Sequence, residues 1–236
     1  GKGKGELITI RDFSPGPNGT FFILSFKKYF HFDREGNLIG EYLINMPFES
    51  YNPNQFHIPN ESVEIYSSSI LSPKRLNNQE QYSLCLVNKN PLSYKMALRR
   101  PTANISDNCF NQCNSTLLIN PVIGNDTLYS FDGKELVPLY YIDFGKNKVD
   151  LQELPSDYAS PGSAFEYAAS NENCLRIYGT LMDDNWLMFS YFFNKSYYTA
   201  LGHKKNGKTL IIELNPENTK HPLFKTAPLA VYNNEF

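Results

Sequence analysis

Asn125–Gly145 reads NDTLYSFDGKELVPLYYIDFG: two apolar runs, a break at Asp132-Gly133, and a cadence ending in Ile142-Asp143-Phe144-Gly145. An Asp-Gly pair between apolar runs is a strong hairpin signal, because both residues tolerate the positive φ of tight hairpin turns. An echo lies upstream at Thr20–Ile44, TFFILSFKKYFHFDREGNLIGEYLI. In each stretch an aromatic-x-Phe-Asp run (Phe30–Asp33, Tyr129–Asp132) meets a Gly-containing turn and then an apolar strand. This repetition speaks to architecture and says nothing of chemistry.

Working outward, the first set of four strands is expected at Leu7–Phe13, Thr20–Ser25, Tyr29–Asp33 and Leu38–Ile44. Gly, Pro, Asn and Asp break the chain between them, as hairpin turns require. A second set takes Asn54–Pro59, Ser62–Ser68, Gln81–Asn88 and Ser93–Arg99, with a long loop, SILSPKRLNNQ, in its middle. Long loops are where functional insertions sit. The third set shows only three strands: Ser115–Asn120, Asp126–Phe131 and Leu136–Phe144. Lys146–Ser163 reads as a polar bridge with at most one helical turn at Val149–Leu154, stopped by Pro155. The last set is Cys174–Met182, Asn185–Phe193, Tyr197–His203 and Thr209–Leu214, with a type I′ turn expected at Asn206-Gly207. Phe21–Leu24 and Trp186–Phe189 are apolar at consecutive positions, so both faces of those strands must be covered. No segment carries a sustained helical period. Small sheets stacked radially cover both faces, which a two-layer sandwich does not. The expected fold is therefore all-β, a β-propeller of four-stranded antiparallel blades, with 1–236 forming one partial domain of about four full blades.

Composition agrees. Of 236 residues 41% are hydrophobic and 19% charged, with 16 Tyr and 17 Phe, a strand-favouring mixture. A formal net charge of −2 supplies no basic field for nucleic acid or anionic membrane. No apolar span is long enough for a transmembrane helix. The alternating glycines of GKGKGE (1–6) would suit a phosphate loop only between a strand and a helix. An apolar run follows instead, so the stretch reads as a connector.

Cys85 and Cys174 lie in apolar runs and are expected to be buried thiols. Cys109 and Cys113 sit in the polar stretch DNCFNQCNS. They read either as a loop disulfide of an oxidising compartment or as isolated thiols. A zinc site would need a second close pair of ligands, which the scattered His203 and His221 do not provide. No metal or cofactor is expected.

Two motifs carry a resemblance. GKGKGE followed by Ile-x-x-Phe resembles the Gly-x-Gly-Pro-Gly-Glu connector of the six-bladed β-propeller family common in anaerobic gut bacteria, with Lys4 where Pro is usual. Leu139–Gly145 resembles that family's blade-closing Pro-x-Tyr-x-Ile-Asp-Phe-Gly signature. The resemblance implies a secreted, often lipid-anchored envelope protein, periplasmic or on the cell surface. It carries no catalytic residues. By length the chain looks like an internal fragment that does not close a ring by itself.

Propeller ligands meet loops at the channel mouth, and the residues expected there are Asp12, Tyr51, Asn54, His57, Glu166 and Tyr167. Aromatics beside polar groups suit a sugar or a peptide, although turn formation and blade packing are the stronger reading of each one. Arg99-Arg100 could clamp a carboxylate. Neither the acids, such as Glu166 and Asp183-Asp184, nor the four histidines show a spacing that defines a catalytic pair. The function expected is a non-catalytic binding or scaffolding propeller of the cell envelope, its partner a glycan, a peptide or an envelope protein. A glycan-active hydrolase or lyase is the alternative.

Overall fold

The computed structural model describes residues 9–44, 53–67, 81–100, 109–114, 116–120, 125–149 and 161–214. Tyr51, the GKGKGE stretch, the loop at 69–79, His221 and the tail beyond 214 lie outside them. The described residues form sixteen strands in four four-stranded sheets, and in every sheet the strands follow one another in chain order. All pairings within the sheets are antiparallel. This is the repeated four-stranded meander of propeller blades.

The chain divides into two compact units, Gly1–Ser106 and Asp107–Phe236. The first holds β1 (Asp12–Pro15), β2 (Phe21–Leu24), β3 (Lys28–Phe32) and β4 (Leu38–Leu43), then β5 (Gln55–Asn60), β6 (Val63–Ser67), β7 (Gln81–Lys89) and β8 (Leu92–Arg100). The second holds β9 (Phe110–Cys113), β10 (Thr116–Ile119), β11 (Thr127–Phe131) and β12 (Leu136–Tyr141). After helix α1 (Pro161–Ser170) it continues with β13 (Leu175–Met182), β14 (Trp186–Phe193), β15 (Ser196–His203) and β16 (Thr209–Glu213).

Burial follows position in the sheet. All five residues of β6 are buried, as are the six central residues of β14. The last strands β4 and β16 are exposed along most of their length, and no residue of β12 is buried. The consecutive apolar residues of β14 are covered on both faces, whereas in β2 Phe22 and Leu24 are buried and Phe21 and Ile23 only half-buried; each buried large side chain contributes ~1.5–3 kcal/mol. In the first unit the rings of Phe22, Tyr29, Phe56 and Tyr66 run through the core, neighbouring centroids 5.9–6.3 Å apart.

The repeated Phe-Asp motif occupies the same place in two sheets, the turn from third to fourth strand. Asp33 Oδ1 accepts the Asn37 amide and Asp132 Oδ1 accepts the amides of Lys134 and Glu135. Gly36 and Gly133 take positive φ beside them. These hydrogen bonds hold both carboxyls below the usual carboxylate range: for Asp33 chiefly the Asn37 side chain, for Asp132 chiefly the Glu135 amide.

Four readings need correction. The first strand is Asp12–Pro15, not Leu7–Phe13: Ser14 and Pro15, which read as a break, pair with Phe22 and Phe21. Asn206-Gly207 is not a type I′ turn: β15 and β16 are joined by Lys204–Lys208, where Gly207 alone has positive φ. The pair with positive φ at both residues is Asn194-Lys195, between Phe193 and Ser196. Next, the polar stretch around Cys109 and Cys113 is strand β9, completing the third sheet. Four extended residues span ~13 Å, beyond the ~7 Å that a disulfide bridges. All four cysteines are free and buried. Burial raises the Cys85 thiol to about 11 and the Cys174 thiol to about 12. Last, Pro161–Ser170 is a ten-residue helix that touches β14 and buries Ala168. Pro-Gly-Ser reads as a break, yet Pro at the first helical position is preorganised for a helix start.

Candidate functional site

In the first unit the sequence-predicted residues form a seam between two sheets. Asp12 Oδ2 accepts the Phe56 amide at 2.8 Å, tying β1 to β5. Burial raises its pKa, against the lowering effect of that hydrogen bond. Ser14 Oγ lies 3.2 Å from His57 Nδ1, and both side chains are buried. Burial drives the His57 pKa down to about 4, so the ring is neutral at pH 7. Asn54 extends the pairing of β5 with β6 through its amide, bonded to Ser67 O at 2.9 Å. The structure therefore brings Asp12 and His57 into one inter-sheet clip, while Asn54 serves the pairing inside the second sheet.

Beside that seam is a buried carboxylate. Glu64 Oε1 accepts from the Tyr29 phenol at 2.6 Å and lies 2.9 Å from Lys89 Nζ. Its Oε2 accepts from the Tyr66 phenol at 2.6 Å. Burial and the Glu64 charge push both phenols far above the usual tyrosine range. A buried charge persists only when paired and hydrogen-bonded. The signal was present in the sequence: one Glu in the apolar run Val63–Tyr66.

Glu166 and Tyr167 lie on α1. Glu166 is exposed, while Tyr167 is half-buried and its carbonyl accepts the Asn171 amide. His31 stacks on Phe22 with centroids 4.3 Å apart. Asp183 Oδ1 caps a turn by accepting the amides of Asn185 and Trp186. Among the described residues no group of three His, Cys, Asp or Glu side chains could hold a metal.

The second unit contains an open cleft of about 450 Å³. One wall is Tyr140–Phe144, the end of β12 and the residues that follow it. The turn shaping this wall is Asp143 Oδ1 accepting the Gly145 amide at 2.8 Å, with Gly145 at φ +58°. Phe144 packs on Tyr191, centroids 5.2 Å apart. Tyr141 is 57% exposed, and Lys148 Nζ donates to its hydroxyl at 3.2 Å. Lys148 Nζ also lies 3.4 Å from the buried Asp126 Oδ2. Asp126 thus holds the lysine that holds Tyr141. The floor is Leu187, Phe189, Tyr191 and Ala200. Gly202, His203, Lys204, Gly207, Thr209 and Ile211 complete the far wall, with Lys204 Nζ bonded to Asp183 O and 5.9 Å from the Tyr140 ring centre. A volume in the ligand-pocket range, aromatic walls and a few polar groups fit a bound ligand. Glu166, Tyr167, Asp12 and His57 are not among its lining residues.

A family model described as 6-bladed beta-propeller matches residues 1–235. The chain belongs to that family. Within the Leu139–Gly145 stretch of this propeller, Tyr140–Phe144 form a wall of the cleft. A solved structure from Bacteroides fragilis NCTC 9343, a protein described as exported, is similar with TM-score 0.66 at 13% identity. It is matched over 91% of this chain, and the chain spans 60% of its length. The N-terminal domain of Nup159 (TM-score 0.41, 12% identity, 83% of this chain and 45% of that one) and the tricorn protease (0.32, 11%, 85% and 22%) are too distant to carry an argument. No curated protein sequence matches. Among the described residues no helix is long and apolar enough to cross a membrane.

Proposed function

We propose that this propeller is a non-catalytic binding or scaffolding module of the bacterial cell envelope, outside the cytoplasm, and that 1–236 belongs to a single propeller domain. The observation that carries the binding reading is the aromatic-walled cleft between β12 and the β14–β16 face. Support for the envelope address comes from the similar structure described as exported. The ligand class is a glycan or a peptide: tyrosine faces with a few polar groups serve either.

One observation favours the glycan-active enzyme as a second reading: Asp143 and His203 line the same cleft. Both, however, cap their own loops. Asp143 Oδ1 accepts the Gly145 amide, and His203 Nδ1 accepts the Lys205 amide at 3.2 Å. Those bonds assign them to turn formation. The test is a glycan and peptide array on the full-length protein, with product analysis of every hit. Binding without turnover is expected. Turnover that vanishes in Asp143→Asn and His203→Ala would replace the binding reading with the enzymatic one.

A further inference from the structure

The cleft in the second unit has two features with different demands. Its floor and lower walls are mostly apolar, Ile142, Phe144, Leu187, Phe189, Ala200 and Ile211, with Tyr191 and Thr209 beside them. A saccharide would bring many hydroxyls onto that floor and find few hydrogen-bond partners there to replace their hydration. An apolar side chain loses nothing there. The second feature is the rim. Within a chain of net charge −2, the loop 204–208 reads KKNGK, three lysines in five residues. Lys204 of this loop lines the cleft, and Lys205 and Lys208 are exposed. Among the lining residues Asp143 is the single acid, and one of its oxygens already serves the Gly145 amide. Lys204 gives one N–H to Asp183 O, and an ammonium has three to give. Beside the cleft runs β16, the last strand of its sheet among the described residues. Extended peptides add to such strands through main-chain hydrogen bonds while side chains fill adjacent pockets.

We propose that this cleft takes an acidic, extended peptide segment of a partner protein: an apolar side chain seats on the Leu187–Phe189–Ala200 floor, and flanking carboxylates meet the lysines of the 204–208 loop. This rests on the binding reading and narrows its ligand class. The charge of the rim selects the partner, and the floor supplies the anchor.

A cleft-filling variant tests it. A Cβ on Gly202 would meet nothing closer than 3.8 Å, and Gly202 has no positive φ, so Gly202→Leu projects into the cleft without a backbone clash. Three fluorescent probes are titrated by anisotropy against the full-length protein. They are a nonapeptide with a Leu-Phe centre flanked by glutamates, the same peptide with lysines, and a uronic-acid hexasaccharide. The acidic peptide is expected to bind. Its affinity should fall about tenfold in Gly202→Leu, fall comparably in Lys205→Glu/Lys208→Glu, and weaken with salt. If Gly202→Leu fails to fold, the exposed double-lysine variant still decides. Equal binding of acidic and basic peptides, acidic binding indifferent to both variants, or no acidic binding overturns the inference. Hexasaccharide binding abolished by Gly202→Leu, without peptide binding, overturns the peptide assignment and leaves the binding reading standing.

Discussion

The two units are each built from a pair of four-stranded meanders, and they treat the space between the sheets differently. In the first unit Phe22, Tyr29, Phe56 and Tyr66 fill it, and Glu64 ties two of those phenols to Lys89. In the second, Leu128, Ile177, Leu187, Phe189 and Tyr191 pack with Tyr140, Ile142 and Phe144, and beside that core, where β15 carries Ala200 and Gly202, a cleft of about 450 Å³ stays open. The lesson is that strand order makes the frame, while the size of a few facing side chains decides whether a frame is a core or a site. Close-packed interiors tolerate little added or lost volume.

The largest expected effect breaks the filled unit. Glu64→Ala removes the acceptor of two buried phenols and leaves Lys89 without its carboxylate. A loss of ~3–5 kcal/mol is expected, read by urea denaturation. A loss below about 1 kcal/mol would mean that rings alone hold this core.

The next effect is set by pH. His57 is neutral in the fold and its folded pKa is depressed from 6.5 to about 4. The folded state therefore binds fewer protons than the unfolded one across that window. Its contribution is complete above pH 6.5 and is lost as pH falls towards 4, amounting to about 3 kcal/mol. Thermal melts of wild type and His57→Gln between pH 7 and 4 should converge as pH falls. Parallel curves would show that His57 does not carry the acid sensitivity.

Two glycine substitutions sharpen the contrast at lower energy. A Cβ at Gly16 would lie 2.5 Å from Thr20 Oγ1 and 2.8 Å from the Phe22 ring. Gly16→Ala should therefore cost ~1–3 kcal/mol. At Gly202 the nearest atoms are 3.8 Å away. Gly202→Ala should change stability by less than about 0.5 kcal/mol in denaturant melts, within the range of substitutions that disturb no contact. Equal costs at the two positions would erase the distinction between a filled and an open frame.

Much of the fold was legible because alternation, consecutive apolar runs and Asp-Gly turns are local signals. The echo of Phe30–Asp33 in Tyr129–Asp132 proved to be the same turn in two sheets, each closed by its aspartate. Two elements escaped. Strand β9 carries Asn111 and Gln112 and reads as loop, because its strand character comes from pairing with β10. Helix α1 opens with Pro-Gly-Ser, which reads as a break until its packing on β14 is seen. The site was less legible. Asp12 and His57 join one clip between sheets, Asn54 pairs β5 with β6, and the cleft draws its walls from segments some sixty residues apart in sequence.

By itself the sequence determined the blade repeat, the two Asp-closed turns at Asp33 and Asp132, and the burial of Cys85 and Cys174. Each depends on residues close together in the chain, where side-chain period and backbone preference act directly. Tertiary structure alone decided that Glu64 is a paired buried charge, that the signature's Asp143 shapes a wall, and that Ala200 and Gly202 leave room beside it. Those outcomes depend on which side chains from distant strands share a volume, and no local preference encodes that volume.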